Sequence, residues 1–194
     1  METKHIQAIG NFLSYYETDL AYIKSFQDFK NKKGNVNNQS GSFYSFLVEF
    51  RVVRNFVKGE VDDLLIQTYD WITSDYPDDV DKFAQKLSST KLTRGNVMGS
   101  MASKILFLNN PWEIIPMDRL ARQTLKVRQN EYFIYKEKLQ DFKEANRILL
   151  QDCLGKIEPF ATIIENKFNN DLQDLEIIRA NRMIDKILWT LGKQ

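Results

Sequence analysis

Three observations predict an all-α fold, a helical globular domain spanning residues 1–194. Apolar residues recur at steps of three and four along most of the chain. Alternation at period two is sustained nowhere. The chain holds 13 Phe, 8 Tyr and 3 Trp against 4 Pro and 8 Gly, which favours long packed elements over loops. At 194 residues it is long enough to bury a real core.

The first helix reads from the stripe Ile6, Ile9, Leu13, Tyr16, Leu20, Ile23 and Phe26. A polar loop rich in Asn and Gly follows over 31–42. A second helix has Phe43, Phe46, Leu47, Phe50, Val53 and Phe56 in one stripe and stops near Lys58-Gly59. Residues 61–74 and 79–88 form two shorter helices separated by Asp75-Tyr76-Pro77. Asp79 is placed as an N-cap, and acids crowd that first turn as the helix dipole favours. Beyond them, 131–153 carries Tyr132, Tyr135, Leu139, Phe142 and Leu149 in register. The closing helix carries Ile177, Ile184, Leu188 and Leu191 and ends at Gly192. Arg179 and Arg182, about one turn apart, read as solvated surface, with a shared anion as the alternative.

Composition excludes several chemistries. Cys153 is the only cysteine, so no internal disulfide and no thiolate cluster can form. His5 is the only histidine, which argues against a histidine-dependent triad, a zinc site and a haem site. No metal and no cofactor are expected. The first residues lack the apolar core of a signal peptide, and no run of about 18 apolar residues offers a membrane span. A cytoplasmic protein without a membrane partner is the expectation.

Net charge is +1, but it is unevenly distributed. Segment 82–130 holds nine bases against two acids, Glu113 and Asp118, for +7; the remaining 18 bases and 24 acids give −6. A basic stretch of this kind suits a polyanion, and equally suits a fold that supplies the counter-charges from elsewhere.

The centre of that stretch, 87–126, reads as a short helix, a tight turn at Arg94-Gly95-Asn96, and a helix over 97–108. Gly99, Ser100, Ala102 and Ser103 are small. Small residues at a helix start admit another backbone or a ligand, and free N–H groups there attract phosphate. Asn109-Asn110-Pro111 ends the helix, 112–116 is extended, and Asp118 opens the next helix, where Arg119 and Arg122 follow.

Helix, glycine turn, small-residue helix, proline break and then Pro116-Met117-Asp118 together resemble the helix-hairpin-helix DNA glycosylase superfamily. The resemblance covers about a fifth of the chain. It implies that Asp118 is the essential carboxylate at a helix N-terminus, facing a nucleotide turned out of the duplex. The hairpin spacing here is wider than the family's Gly-x-Gly, since Gly95 and Gly99 are four apart. The family's Schiff-base lysine would fall near Gly99 or Ser100, where no amine exists, so the resemblance implies a monofunctional enzyme.

Asp118 is therefore the candidate catalytic residue, with N-capping as its alternative role. Lys91, Arg94, Gly95, Asn96, Gly99, Lys104, Arg119 and Arg122 are the candidate nucleic-acid contacts. Lys104 and Ser103 are candidates for a pocket wall. Lys104 has the alternative of a stem lying on apolar surface. Trp112 is a candidate for stacking on a base, with packing beneath a loop as the alternative. The expected partner is DNA. The expected function is recognition or N-glycosidic cleavage of a modified base. The alternative is a catalytically inactive DNA-binding or protein-interaction subunit of a repair or defence assembly.

Overall fold

The computed structural model describes residues 2–31, 42–49, 52 and 61–193. Among these the fold is all-α, with no strand. The helices are α1 (Thr3–Asn31), α2 (Ser42–Glu49), α3 (Val61–Ile72), α4 (Val80–Ser89), α5 (Gly99–Asn109), α6 (Arg119–Thr124), α7 (Tyr132–Ala145), α8 (Arg147–Glu165) and α9 (Leu175–Leu191). The 31–42 loop lies almost wholly outside the described residues. So do the end of the second predicted stripe, at Phe50, Val53 and Phe56, and the stop at Lys58-Gly59.

α1 is the spine. It packs most extensively on α9 and also touches α2, α5 and α8. Its inner line is Ala8, Phe12, Tyr16, Leu20, Ile23 and Phe26. The predicted stripe holds from Tyr16 onward but is rotated before it. Ile6 is 59% exposed, while Ile9 and Leu13 flank the core. α4 packs on α5 and α7, and α6 lies against α9. Among the described residues a contiguous apolar cluster runs from Ala8 to Leu188.

Asp79 caps α4 as expected, its Oδ1 accepting the Lys82 N–H at 3.0 Å. The predicted 131–153 helix is instead two. Asn146 leaves helical geometry, and its side-chain amide donates to the Phe142 carbonyl at 2.9 Å, the local competition that makes Asn a helix breaker. α8 then runs on to Glu165 through Pro159, which forfeits one hydrogen bond of the ladder. In α9 the buried line is Leu175, Ile178, Ile184, Ile187 and Leu188. Ile177, placed in register by sequence, is 43% exposed.

Two glycines are set by close approach. A Cβ on Gly192 would lie 2.3 Å from the Leu120 carbonyl oxygen, so its absence lets α6 sit on the end of α9. A Cβ on Gly99 would lie 2.5 Å from the Asn130 carbonyl oxygen. Gly99→Ala should therefore destabilise by about 1–3 kcal/mol through overpacking. Gly155→Ala, with open space around it, should be neutral or gain roughly 0.5–1 kcal/mol of helix propensity. Thermal unfolding of the two variants checks this; equal shifts would contradict the packing at Gly99.

Candidate functional site

The segment leading to Asp118 is extended and has no sheet to pair with. Its backbone groups find side chains instead. Tyr132 Oη donates to the Ile115 carbonyl and accepts the Ile115 N–H, both at 3.1 Å. Tyr135 Oη donates to the Pro116 carbonyl at 3.2 Å. Ser103 Oγ accepts the Met117 N–H at 2.9 Å. Burial pushes both tyrosine hydroxyls well above their ordinary range, so they act as fixed neutral hydrogen-bonding groups. Ser103, a candidate pocket residue by sequence, is thus a buried rivet.

Upstream, Asn109 and Asn110 donate to the two oxygens of Asp78 at 3.2 and 2.9 Å. Asn181 of α9 donates to the Pro111 and Trp112 carbonyls at 2.9 and 2.7 Å. The proline break is anchored at both sides.

Asp118 then starts α6. Its backbone is extended (φ −115°, ψ 177°) and its Oδ1 accepts the Ala121 N–H at 2.7 Å. It is a true N-cap, and half-buried. It is also part of the wall of a cavity of about 700 Å³. α5 contributes Ser100 and Lys104 to that wall, α6 contributes Arg119 and Leu120, and α1 contributes Asn11 and Tyr15. From α9 come Arg182, Asp185, Lys186 and Trp189, and from α2 comes Glu49, whose carboxylate accepts from the Tyr22 hydroxyl.

The fold therefore brings other charges to Asp118, one of the two alternatives left open by the basic stretch. Among the described residues the cavity wall holds three carboxylates, Asp118, Asp185 and Glu49, against Lys104, Arg119, Arg182 and Lys186. The counter-charges come from α9 and α2, outside the basic stretch. The cavity does not lack an amine: Lys104 and Lys186 both line it, although neither sits near Gly99 or Ser100 in sequence.

Behind the wall is a buried ionic network. Arg182 is fully buried; its Nε and Nη2 donate to Asp19 Oδ2 at 2.9 and 2.7 Å, and its Nη1 donates to Asp185 at 3.1 Å. Its guanidinium lies 4.8 Å over the Phe107 ring of α5. Burial opposes its charge, but Asp19 and Asp185 outweigh burial and leave its pKa raised. Burial raises the Asp185 carboxyl above the usual range against the pull of Arg182 and Lys186, and Asp118 and Asp19 add to the rise. Lys186 is lowered, first by burial and then by Arg182. Its Nζ lies 3.9 Å from Asp19 and 4.9 Å from the centre of the Tyr15 ring. Arg182 is thus no surface residue, and Arg179 pairs with Glu165 and Glu158 rather than sharing an anion with it.

The remaining sequence candidates divide. Lys91, Arg94, Gly95 and Asn96 form an exposed turn beside the start of α5 and are not part of the cavity wall. The Asn96 amide is engaged with the Thr93 carbonyl at 3.1 Å. Gly99, a candidate nucleic-acid contact by sequence, is instead buried against Asn130: the backbone it admits is protein. Arg122, expected on phosphate, is half-buried, with Nη1 donating to the Arg128 and Gln129 carbonyls at 3.4 and 3.2 Å. Trp112 is half-buried against the core, and its Nε1 donates to the Gln173 carbonyl at 3.0 Å, away from the cavity. Packing, not an offered ring face, is what the structure gives it.

Sequence reading missed Asn11, Tyr15, Asp185, Lys186 and Trp189. A signal was present. Arg182, Asp185, Lys186 and Trp189 stand at i, i+3, i+4 and i+7, a polar stripe with the same period as a core face.

Among the described residues no group of three or more His, Cys, Asp or Glu is arranged to hold a metal ion, and no helix is long and apolar enough to cross a membrane. No family model matches the chain, and neither a curated protein nor a solved structure matches it.

The network itself is testable. Asp19→Ala leaves a buried guanidinium short of its main partner and should cost about 3–5 kcal/mol. Lys156→Ala, which removes the exposed pair with Asp152, should cost less than about 1 kcal/mol. Urea midpoints at constant slope separate the two.

Proposed function

We propose that the chain binds DNA and takes one nucleotide, turned out of the duplex, into the cavity beside Asp118, as a monofunctional DNA glycosylase does. The observation that carries this is the placement of Asp118: a carboxylate at a helix start, in the wall of a cavity of about 700 Å³ that acids and aromatic rings also line. That volume lies within the usual range for a small-molecule pocket, roughly 300–1,000 Å³. Tyr15 and Trp189 line the cavity, each with a lysine ammonium over its ring, Lys186 at 4.9 Å and Lys193 at 3.2 Å from the ring centre. A base stacks there by displacing that ammonium, and Asn11 and Asp185 offer hydrogen-bonding groups to its edge. In cleavage of the N-glycosidic bond positive charge develops on the sugar. Asp118 stabilises it and orients the attacking water; the products are the free base and an abasic sugar. Arg119, exposed at the cavity, and Lys91 and Arg94, on the turn beside α5, hold phosphates.

A second reading is a catalytically inactive DNA-binding or protein-interaction subunit in a repair or defence assembly. The observation in its favour is that Asp118 already has a complete structural role as the cap of α6.

Base release across a panel of modified duplexes, read as abasic sites, tests the first reading. Asp118→Asn should lower release by a factor of order 100 or more while retaining fold and DNA affinity, because Asn caps nearly as well as Asp. An adduct trapped by borohydride would point to Lys104 or Lys186, the two amines of the cavity wall among the described residues, and overturn the monofunctional reading. Lys91→Ala with Arg94→Ala should flatten the fall of affinity with salt by close to two counterions. A wild type that binds duplex but releases no base hands the site to the second reading. A wild type that does not bind at low salt removes DNA from both.

A further inference from the structure

Four described non-glycine residues have positive φ: Lys91 (64°), Arg94 (53°), Lys126 (57°) and Asp174 (49°). Three of them are cations. Left-handed backbone is costly for a residue with a Cβ, and Gly is the ordinary occupant of a helix C-terminal turn. α6 ends in a complete Schellman motif, with the Lys126 N–H on the Gln123 carbonyl (3.2 Å) and the Val127 N–H on the Arg122 carbonyl (2.9 Å). Lysine therefore occupies a glycine position at the end of α6. Lys91 does the same just after α4, where its N–H meets the Ser88 carbonyl at 3.1 Å.

The 125–130 turn is also built rigidly. Arg122 holds the carbonyls of Arg128 and Gln129 from beneath, and Val127 is buried. Asn130 donates to the Val97 carbonyl at 3.1 Å, and its own carbonyl abuts Gly99. That contact sets this turn beside the Lys91–Asn96 turn. Lys91, Arg94, Lys126 and Arg128 are exposed, and among the described residues none of them makes an ion pair. Glu131, which follows the turn in sequence, is exposed, and Asp81 accepts the Tyr132 and Phe133 N–H groups at 2.7 and 2.9 Å. α6 separates Asp118 from this turn by only six residues, about 9 Å of helix.

We propose that the 125–130 turn is a second phosphate-binding turn, in which Lys126 and Arg128 contact the backbone of the same duplex that Lys91 and Arg94 contact. The inference rests on the DNA-binding reading above. It assigns Arg122 a positioning role, holding the turn rather than touching the nucleic acid. A lysine at the end of α6 also suits the helix dipole, and the experiment separates that role from phosphate binding.

The test measures binding of an unmodified fluorescent duplex across a salt series, for wild type and for Lys126→Gly with Arg128→Gln. Glycine fits the left-handed position, so the variant should be as stable to heat as wild type or more so. Its affinity at low salt should nevertheless fall tenfold or more. The slope of log K against log salt should shrink by about 1.8, two phosphates at 0.9 each. A wild type that binds duplex, with a variant of unchanged slope, overturns the second turn and leaves the DNA-binding reading standing. A wild type that binds no duplex overturns both. Lys126→Asn tolerates the same backbone without the charge; its slope should fall by about 0.9, and an unchanged slope there counts equally against the proposal.

Discussion

The contact between Arg182 and Asp19 governs the arrangement of this molecule. Two guanidinium nitrogens converge on one carboxylate oxygen, both groups are buried, and they join α9 to α1 in the most extensive helix pairing of the fold. Burying a charge is tolerated only where a partner of opposite sign is held in good geometry. The pair therefore fixes the rotation of α9 about its axis. Once Arg182 faces Asp19, helical spacing directs Asp185, Lys186 and Trp189 toward the cavity. The guanidinium over Phe107 ties α5 to the same point, and α5 carries Lys104 into the wall.

A second constraint fixes the opposite wall. An extended segment inside a helical protein has no neighbouring strand, and unpaired backbone groups in the interior are expensive. Here Ser103, Tyr132 and Tyr135 take the place of a strand. The depth at which Asp118 emerges is set by these three hydroxyls and by the anchored Pro111 and Trp112, with little left to loop flexibility.

Much of this was legible in sequence, for definite reasons. Helical periodicity predicted the class, Asp79 and Asp118 were readable as caps because capping is local, and the turn at Arg94-Gly95-Asn96 was marked by its glycine. The break at Asn146 was not, because the same residue type also sits inside helices and only the Phe142 contact decides. The cavity was half legible. Asp118, Lys104 and Arg119 lie in one stretch and were found together. Asn11, Asp185 and Trp189 belong to helices whose polar residues look like surface until α1 and α9 are seen to face one another. Charge balance stayed open for the same reason: local counting found a basic stretch, and the acids in the cavity wall arrive from distant helices. Small residues were ambiguous from the start. Gly99 admitted a protein backbone and Ser103 a backbone N–H, uses that composition alone does not separate from ligand contact.

The cavity wall draws on Asn11 near one end of the chain and Trp189 near the other. Contacts of such separation close late, because the loop between them must be ordered first. During synthesis, which proceeds from the N-terminal side, α1 emerges with Asp19 awaiting a partner that lies 163 residues ahead. The basic turns, Asp118 and both tyrosine hydroxyls are all made before that partner exists. A growing chain can thus place its basic turns while the chamber behind them is still missing a wall. Residues 182–189 act as the keystone, and the chamber closes only once they have been made.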